Sequence, residues 1–234
     1  MGLFSAVGGA ISAAAGALSK AASVVGSTVS KLGSTITSVA KSLLTKIPKP
    51  EILTDIIVAV VKVIAEKLGL IEEEDDVEEL GAKAMQSEQN LDDFESTEQY
   101  IKHLRNEVEL DIERFKALKE EEKLACSALG VSILSKGIEE QVEIDIPADF
   151  WIEVGKHDLK AEEAKAYIEN FKENDFSELN LSDYLKGELS VSENKEVAPV
   201  FEETLRELNP ELSDGDIVKK ITEMKQISRK KDWE

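Results

Sequence analysis

The first 47 residues carry one apolar stripe that never loses helical register. Leu3, Val7, Ile11, Leu18, Val25, Val29, Leu32, Ile36, Val39, Leu43 and Ile47 follow one another by threes, fours or their sums. Ala14 and Ala21 fill the two gaps, and Phe4 adds an aromatic beside Leu3. Such spacing places these side chains on a single face of an α-helix. The opposite face reads Ser5, Gly9, Ser12, Gly16, Lys20, Ser23, Ser27, Ser30, Ser34, Ser38, Lys41 and Thr45, which is polar but scarcely charged. Pro48 and Pro50 then stop the pattern, because proline lacks the backbone donor and restricts the residue before it. The pattern predicts one long amphipathic helix over 1–47, a proline linker over 48–50 and a separate body over 51–234.

Charge divides the chain at the same place. Residues 1–50 hold five lysines (Lys20, Lys31, Lys41, Lys46 and Lys49) and no acidic residue, so they carry +5. The remainder holds 23 basic and 48 acidic residues, which is −25, and the whole chain is −20 at pH 7. Counterion release onto nucleic acid needs clustered Lys and Arg, so nucleic acid is not an expected partner. With 42% hydrophobic residues the chain can bury a core, and with 5% aromatics it reads as helical rather than as a sandwich or barrel.

The stripe also repeats. Ala17–Ser27 aligns with Thr28–Ser38 at a period of eleven residues. Eleven residues make three turns of about 3.67 residues each, close to the natural helix, so the stripe drifts little. A heptad would instead drive a coiled coil. Residues 3–47 thereby resemble the eleven-residue-repeat lipid-surface helices of synucleins, perilipins and apolipoproteins. The Ser/Thr/Gly face is similar to that of lipid-packing-sensor helices. The resemblance implies a helix that lies on a lipid surface. The segment departs from synucleins in lacking acids on its polar face, which implies reliance on packing defects and anionic headgroups.

Physical chemistry adds conditional folding to that expectation. Gly8, Gly9, Gly16, Gly26 and Gly33 each cost about 1 kcal/mol against Ala in a helix interior. A bilayer returns about 0.8 kcal/mol per buried CH₂, and lysines near anionic headgroups about 1 kcal/mol each. The expected membrane-binding residues are Leu3, Phe4, Val7, Ile11, Leu18, Val25, Val29, Leu32, Ile36, Val39, Leu43 and Ile47, with Lys20, Lys31 and Lys41. Two other readings stay open. Gly9, Ala13, Gly16 and Ala17 permit close helix–helix approach, in a pore or against protein. The stripe can also be a plain tail, or dock on the body's own core.

The body reads as an acidic multi-helix bundle, and the fold class as all-α. Pro50 suits a first helical position and Gly69 a C-terminal cap, which predicts a helix between them. That segment is apolar nearly all round, so it is expected to be the buried central helix, with a membrane-inserting arm as the alternative. The run Glu72–Asp76 lacks the alternating ligands and central Gly of a calcium loop and reads as a solvated helix start. Ser96 with Gln99 forms a capping box before Ile101, Leu104, Val108, Ile112, Phe115 and Leu118, predicting one helix. A second follows through Leu124, Ala128, Val131 and Leu134 to about Gly137. Val142–Ile146 alternates like a short strand. Further helices are expected from Pro147, over 160–171, over 197–208 and, after Ser213–Asp216, to about Arg229.

No catalytic constellation appears. His103 and His157 are far apart and read as surface histidines, and Cys126 reads as a small core residue. Zinc, nucleophile-elbow and phosphate-loop motifs are all missing. The expectation is a non-enzymatic protein with no cofactor and no metal. The C-terminal Lys219, Lys220, Lys225, Arg229, Lys230 and Lys231 fit a helix end favoured by its dipole or a minor anionic-lipid contact, and Trp233 suits an interface. No basic residue precedes the apolar start and no run of about 18 uncharged apolar residues occurs, so neither a secretory signal nor a spanning helix is expected. The leading expectation is a membrane-associating protein, peripheral on the cytoplasmic side. The alternatives are a pore-forming toxin or effector, secreted without a signal peptide and inserting residues 3–47 and 52–68, and a scaffold whose first helix packs on a protein partner or a second copy of the chain.

Overall fold

The computed structural model describes residues 3–28 and 32–230, with side chains from Ala15 onward. The fold is all-α. Twelve α-helices are present among the described residues, in two compact units, Met1–Gln141 and Val142–Glu234. The prolines at Pro48 and Pro50 separate two helices, but the division between units comes only at Gln141.

The first unit opens with α1 (Leu3–Ser27) and α2 (Ser34–Lys46). One continuous helix over 1–47 is therefore not what forms. The break has a local cause. The Ser27 and Thr28 hydroxyls donate to the carbonyls of Val24 and Val25, at 2.7 Å each, competing with the backbone ladder. Gly33 then adopts φ +82°, a left-handed conformation that suits glycine. Ile47, ahead of Pro48, is extended, and the chain re-enters a helix at Pro50.

That next helical run starts with a π-helical turn, Ile52–Ile57, and continues as α3 (Val58–Lys67). It ends as the sequence predicts. Gly69 sits at φ +73°, its N–H bonds to Glu66 O and the Leu70 N–H bonds to Ala65 O, the two bonds of a Schellman motif. Asp76 caps α4 (Val77–Gln86) by accepting from Glu79 N at 2.9 Å, so the acidic run does lead into a helix. It is also pinned. Arg105 pairs with Glu72 at 2.9 Å and Asp75 at 2.6 Å, and Lys62 donates to the Glu73 carbonyl.

Ser96 caps α5 (Thr97–Asn106) by accepting from Gln99 N. The helix expected to reach Leu118 stops at Asn106, however. Asp111 caps a separate short α6 (Ile112–Lys116) through Arg114 N, and Ile112 is exposed. The centre of the unit is α7 (Glu120–Val142), in which Leu124 to Ser135 are all buried. The run from Pro50 to Lys67 buries one face only, through Leu53, Ile57, Val60, Val61, Ile64 and Ala65. The central position goes to α7 because its Ala, Cys, Ser and Gly residues let neighbours approach on every side. A Cβ on Gly81 would lie 1.9 Å from Cys126 O, and one on Gly130 1.9 Å from Val77 O, so α4 and α7 cross backbone to backbone.

The second unit holds α8 (Ala148–Lys156), α9 (Ala161–Glu173), α10 (Leu181–Lys186), α11 (Val191–Leu208) and α12 (Asp214–Arg229). The segment expected as a strand, Val142–Ile146, contributes a single parallel bridge between Asp145 and Glu178. The α11 helix begins six residues before the expected Val197, because Ser190 and Glu193 form a reciprocal cap, and Pro199 is accommodated inside it. Helix α10 packs against α8, α11 and α12, and α9 against α11. Tyr167 stacks on Phe201 at 5.3 Å, and Tyr184 meets the same ring at 4.8 Å. Trp151, Phe150 and Phe171 complete this aromatic core, fully buried.

Candidate functional site

The sequence singles out the apolar face of the N-terminal segment, and among the described residues the structure folds most of that face inward. Helices α1 and α2 form an antiparallel hairpin that brings Ala15–Ala22 beside Leu44–Pro48. Leu18, Val25, Leu32, Ile36, Leu43 and Ile47 are buried, as are Ala21, Ala22, Ala40 and Leu44. Val39 is half-buried, whereas Lys20 and Lys41 are exposed. In this conformation the described stripe residues from Leu18 to Ile47 are buried, except the half-buried Val39. The contacts that enclose this part run between α1 and α2. Val29 and Lys31, and the side chains of Leu3, Phe4, Val7 and Ile11, lie outside the described residues.

The hairpin is unequal. Helix α1 has 25 residues and α2 has 13, so the half of α1 before Ala15 runs past the end of α2. Where α2 ends, a groove of about 430 Å³ opens between the two helices. Leu18, Ala22, Leu44 and Ile47 form its buried walls, and Ser19 and Thr45 stand at its rim. Among the described residues no helix is long and apolar enough to cross a membrane.

A second constellation escaped the sequence reading. Glu153 on α8 is wholly buried. Its carboxylate accepts from Lys156 Nζ at 2.9 Å and from the Ser228 hydroxyl of α12 at 2.5 Å, and His157 Nε2 lies 3.2 Å away. The same His157 nitrogen is 2.9 Å from Ser228 Oγ. Since the Ser228 proton goes to the carboxylate, that contact requires Nε2 to carry its own proton. His157 is thus a buried histidine and not a surface one: its side chain is 3% exposed. Burial alone would raise the Glu153 pKa. The hydrogen bonds from His157, Ser228 and Lys156 outweigh it and hold the carboxyl below its ordinary value. The signal in the sequence was the i, i+3 and i+4 spacing of Glu153, Lys156 and His157 beside the aromatic run at Phe150 and Trp151.

The geometry makes this cluster a clasp between α8 and α12. A nucleophile relay presents opposite ring nitrogens to serine and carboxylate, whereas here one nitrogen meets both. The other sequence candidates are equally engaged within the fold. Cys126 is buried beside Met85, and burial, followed by the charges of Glu78 and Glu122, pushes its thiol up to about 12. His103 faces Glu107 at 3.1 Å. Of the C-terminal basic residues, Lys220 donates to Asn209, Lys225 lies over the Tyr184 ring and Arg229 donates to the Lys186 carbonyl. Lys231 and Trp233 lie outside the described residues. No group of three or more His, Cys, Asp or Glu side chains among the described residues is placed to hold a metal. No protein-family model, curated protein or solved structure matches the chain.

Proposed function

We propose that the chain is a non-enzymatic, membrane-associating protein that meets an anionic lipid surface through the N-terminal half of α1. One observation carries the reading. The acid-free stripe continues through Leu3, Phe4, Val7 and Ile11 into the part of α1 that runs past α2. Burying four such side chains at a lipid interface is worth roughly 1.5–3 kcal/mol each before ordering costs. That is enough for reversible binding and too little for a permanent anchor. The strongly acidic remainder is repelled by an anionic surface, so it holds off while the helix lies down. The matching location is the cytoplasmic face of a membrane.

Co-sedimentation with phosphatidylserine-containing vesicles tests this on the full chain. Deleting residues 1–50 is the poorer test, because it removes the buried Leu32, Ile36, Leu43 and Leu44. The expected result is that the wild-type chain pellets with anionic vesicles, less so in high salt. The double variant Phe4→Glu/Ile11→Glu stays in the supernatant. Equal pelleting of the two, or none by the wild type, overturns the proposal.

A further inference from the structure

We infer that the groove at the end of the α1–α2 hairpin is a binding site for a single anionic acyl chain, such as a fatty acid. The inference rests on the lipid-directed reading of this segment and deepens it, from adsorption on a surface to capture of one lipid tail. Its volume, about 430 Å³, falls within the range of roughly 300–1,000 Å³ typical of small-molecule sites. Its walls are Ala15, Leu18 and Ala22 of α1, with Leu44, Ile47 and Pro48 at the end of α2. None of these side chains carries a polar atom. At the rim, the Thr45 hydroxyl already donates to the Lys41 carbonyl at 2.8 Å. A sugar, nucleotide or extended peptide would bring polar groups that these six side chains cannot satisfy. A hydrocarbon chain brings none.

The shape and charge agree with that ligand. Ala15, Leu18 and Ala22 form one row along α1. A linear ligand can follow such a row, at about 1.5 Å of helix axis per residue. Lys41 stands one turn before Thr45 on α2 and Lys49 directly follows Pro48, and both are exposed. The first acidic residue of the chain, Glu51, comes only after them. A carboxylate headgroup at the mouth of the groove therefore meets positive charge contributed by its own walls' neighbours.

Cis-parinaric acid, a fluorescent fatty acid, tests the site on the full chain below the probe's micelle threshold. The expected result is saturable binding of a single probe per chain, with its methyl ester bound more weakly. Ala15→Trp and Ser19→Trp fill the groove from exposed rim positions, and each is expected to weaken binding about tenfold or more. Using both keeps the test independent of either variant's folding, which thermal melting checks. Lys41→Glu is expected to weaken the acid but not the ester. Wild-type affinity in both tryptophan variants, or no saturable binding by the wild type, overturns the site. Vesicle sedimentation of the same samples separates the two ideas. A wild-type chain that pellets but takes no parinarate overturns the acyl site alone, and one that does neither overturns both.

Discussion

Glu153 shows how much a single side chain can hold. It is a buried carboxylate whose three partners come from its own helix and from α12. Removing one member of a buried charged pair leaves the other unpaired, at a cost of about 3–5 kcal/mol. Glu153→Ala is therefore expected to lower stability by that amount, read as a shifted urea midpoint. The pH dependence follows from the direction of the shift. The folded-state pKa lies below the ordinary value of 4.5, so the carboxylate's contribution is fully present above that value. It is lost as pH falls through the folded value. Between pH 5 and pH 3 the wild type should lose more stability than Glu153→Gln. Parallel losses in the two proteins would show that this carboxylate is not held as described. At this scale the helical register of Glu153, Lys156 and His157 was legible in the sequence. Their burial was not, because Ser228 arrives from 71 residues beyond His157.

Among the elements, local chemistry and periodicity did not always agree, and local chemistry won. The stripe keeps its register from Val25 to Ile36, yet α1 ends at Ser27 and α2 begins at Ser34, with hydroxyl bonds at Ser27 and Thr28 at one end and the positive-φ Gly33 at the other. Asp111 likewise caps a separate helix within the pattern through Phe115. Caps at Ser96 and Gly69 sit where the sequence places them, since each needs only residues within one turn. The crossing of α4 and α7 is different. Nothing local marks Gly81 and Gly130 as partners, although both are required there. Gly130→Ala puts a Cβ against a carbonyl oxygen that belongs to backbone. Overpacking of this kind costs about 1–3 kcal/mol or more. A thermal melt is expected to show that loss for Gly130→Ala. Gly26→Ala should stabilise α1, because a Cβ at Gly26 meets nothing within 4 Å. A Gly130→Ala melt equal to wild type would contradict the close crossing.

For the molecule as a whole, the excess of acid over base matters more than any one ion pair. With 48 acidic against 28 basic residues and a net charge of −20, self-repulsion opposes the compact state. Exposed pairs such as Lys102–Glu98 and Lys165–Glu169 offset little of it. Raising NaCl from 0.01 M to about 0.5 M shortens the screening length from about 30 Å to below 10 Å. The urea midpoint is expected to rise, by on the order of 1 kcal/mol of stability. A fall would mean that attractive pairs such as Arg105 with Glu72 and Asp75 dominate.

By itself the sequence determined the all-α class, the caps at Ser96 and Gly69 and the charge boundary at Glu51, because composition and contacts within one turn decide these. Only the tertiary structure decided which face goes inside. The stripe from Leu18 to Ile47 is equally apolar against lipid or protein, and periodicity cannot tell the two apart. In the structure α2 folds back on α1 and the described side chains of that stretch are mostly buried, while the first half of α1 runs past the end of α2. The same holds for α7, which takes the centre because its small residues let other helices come close, a property of the surroundings as much as of the segment.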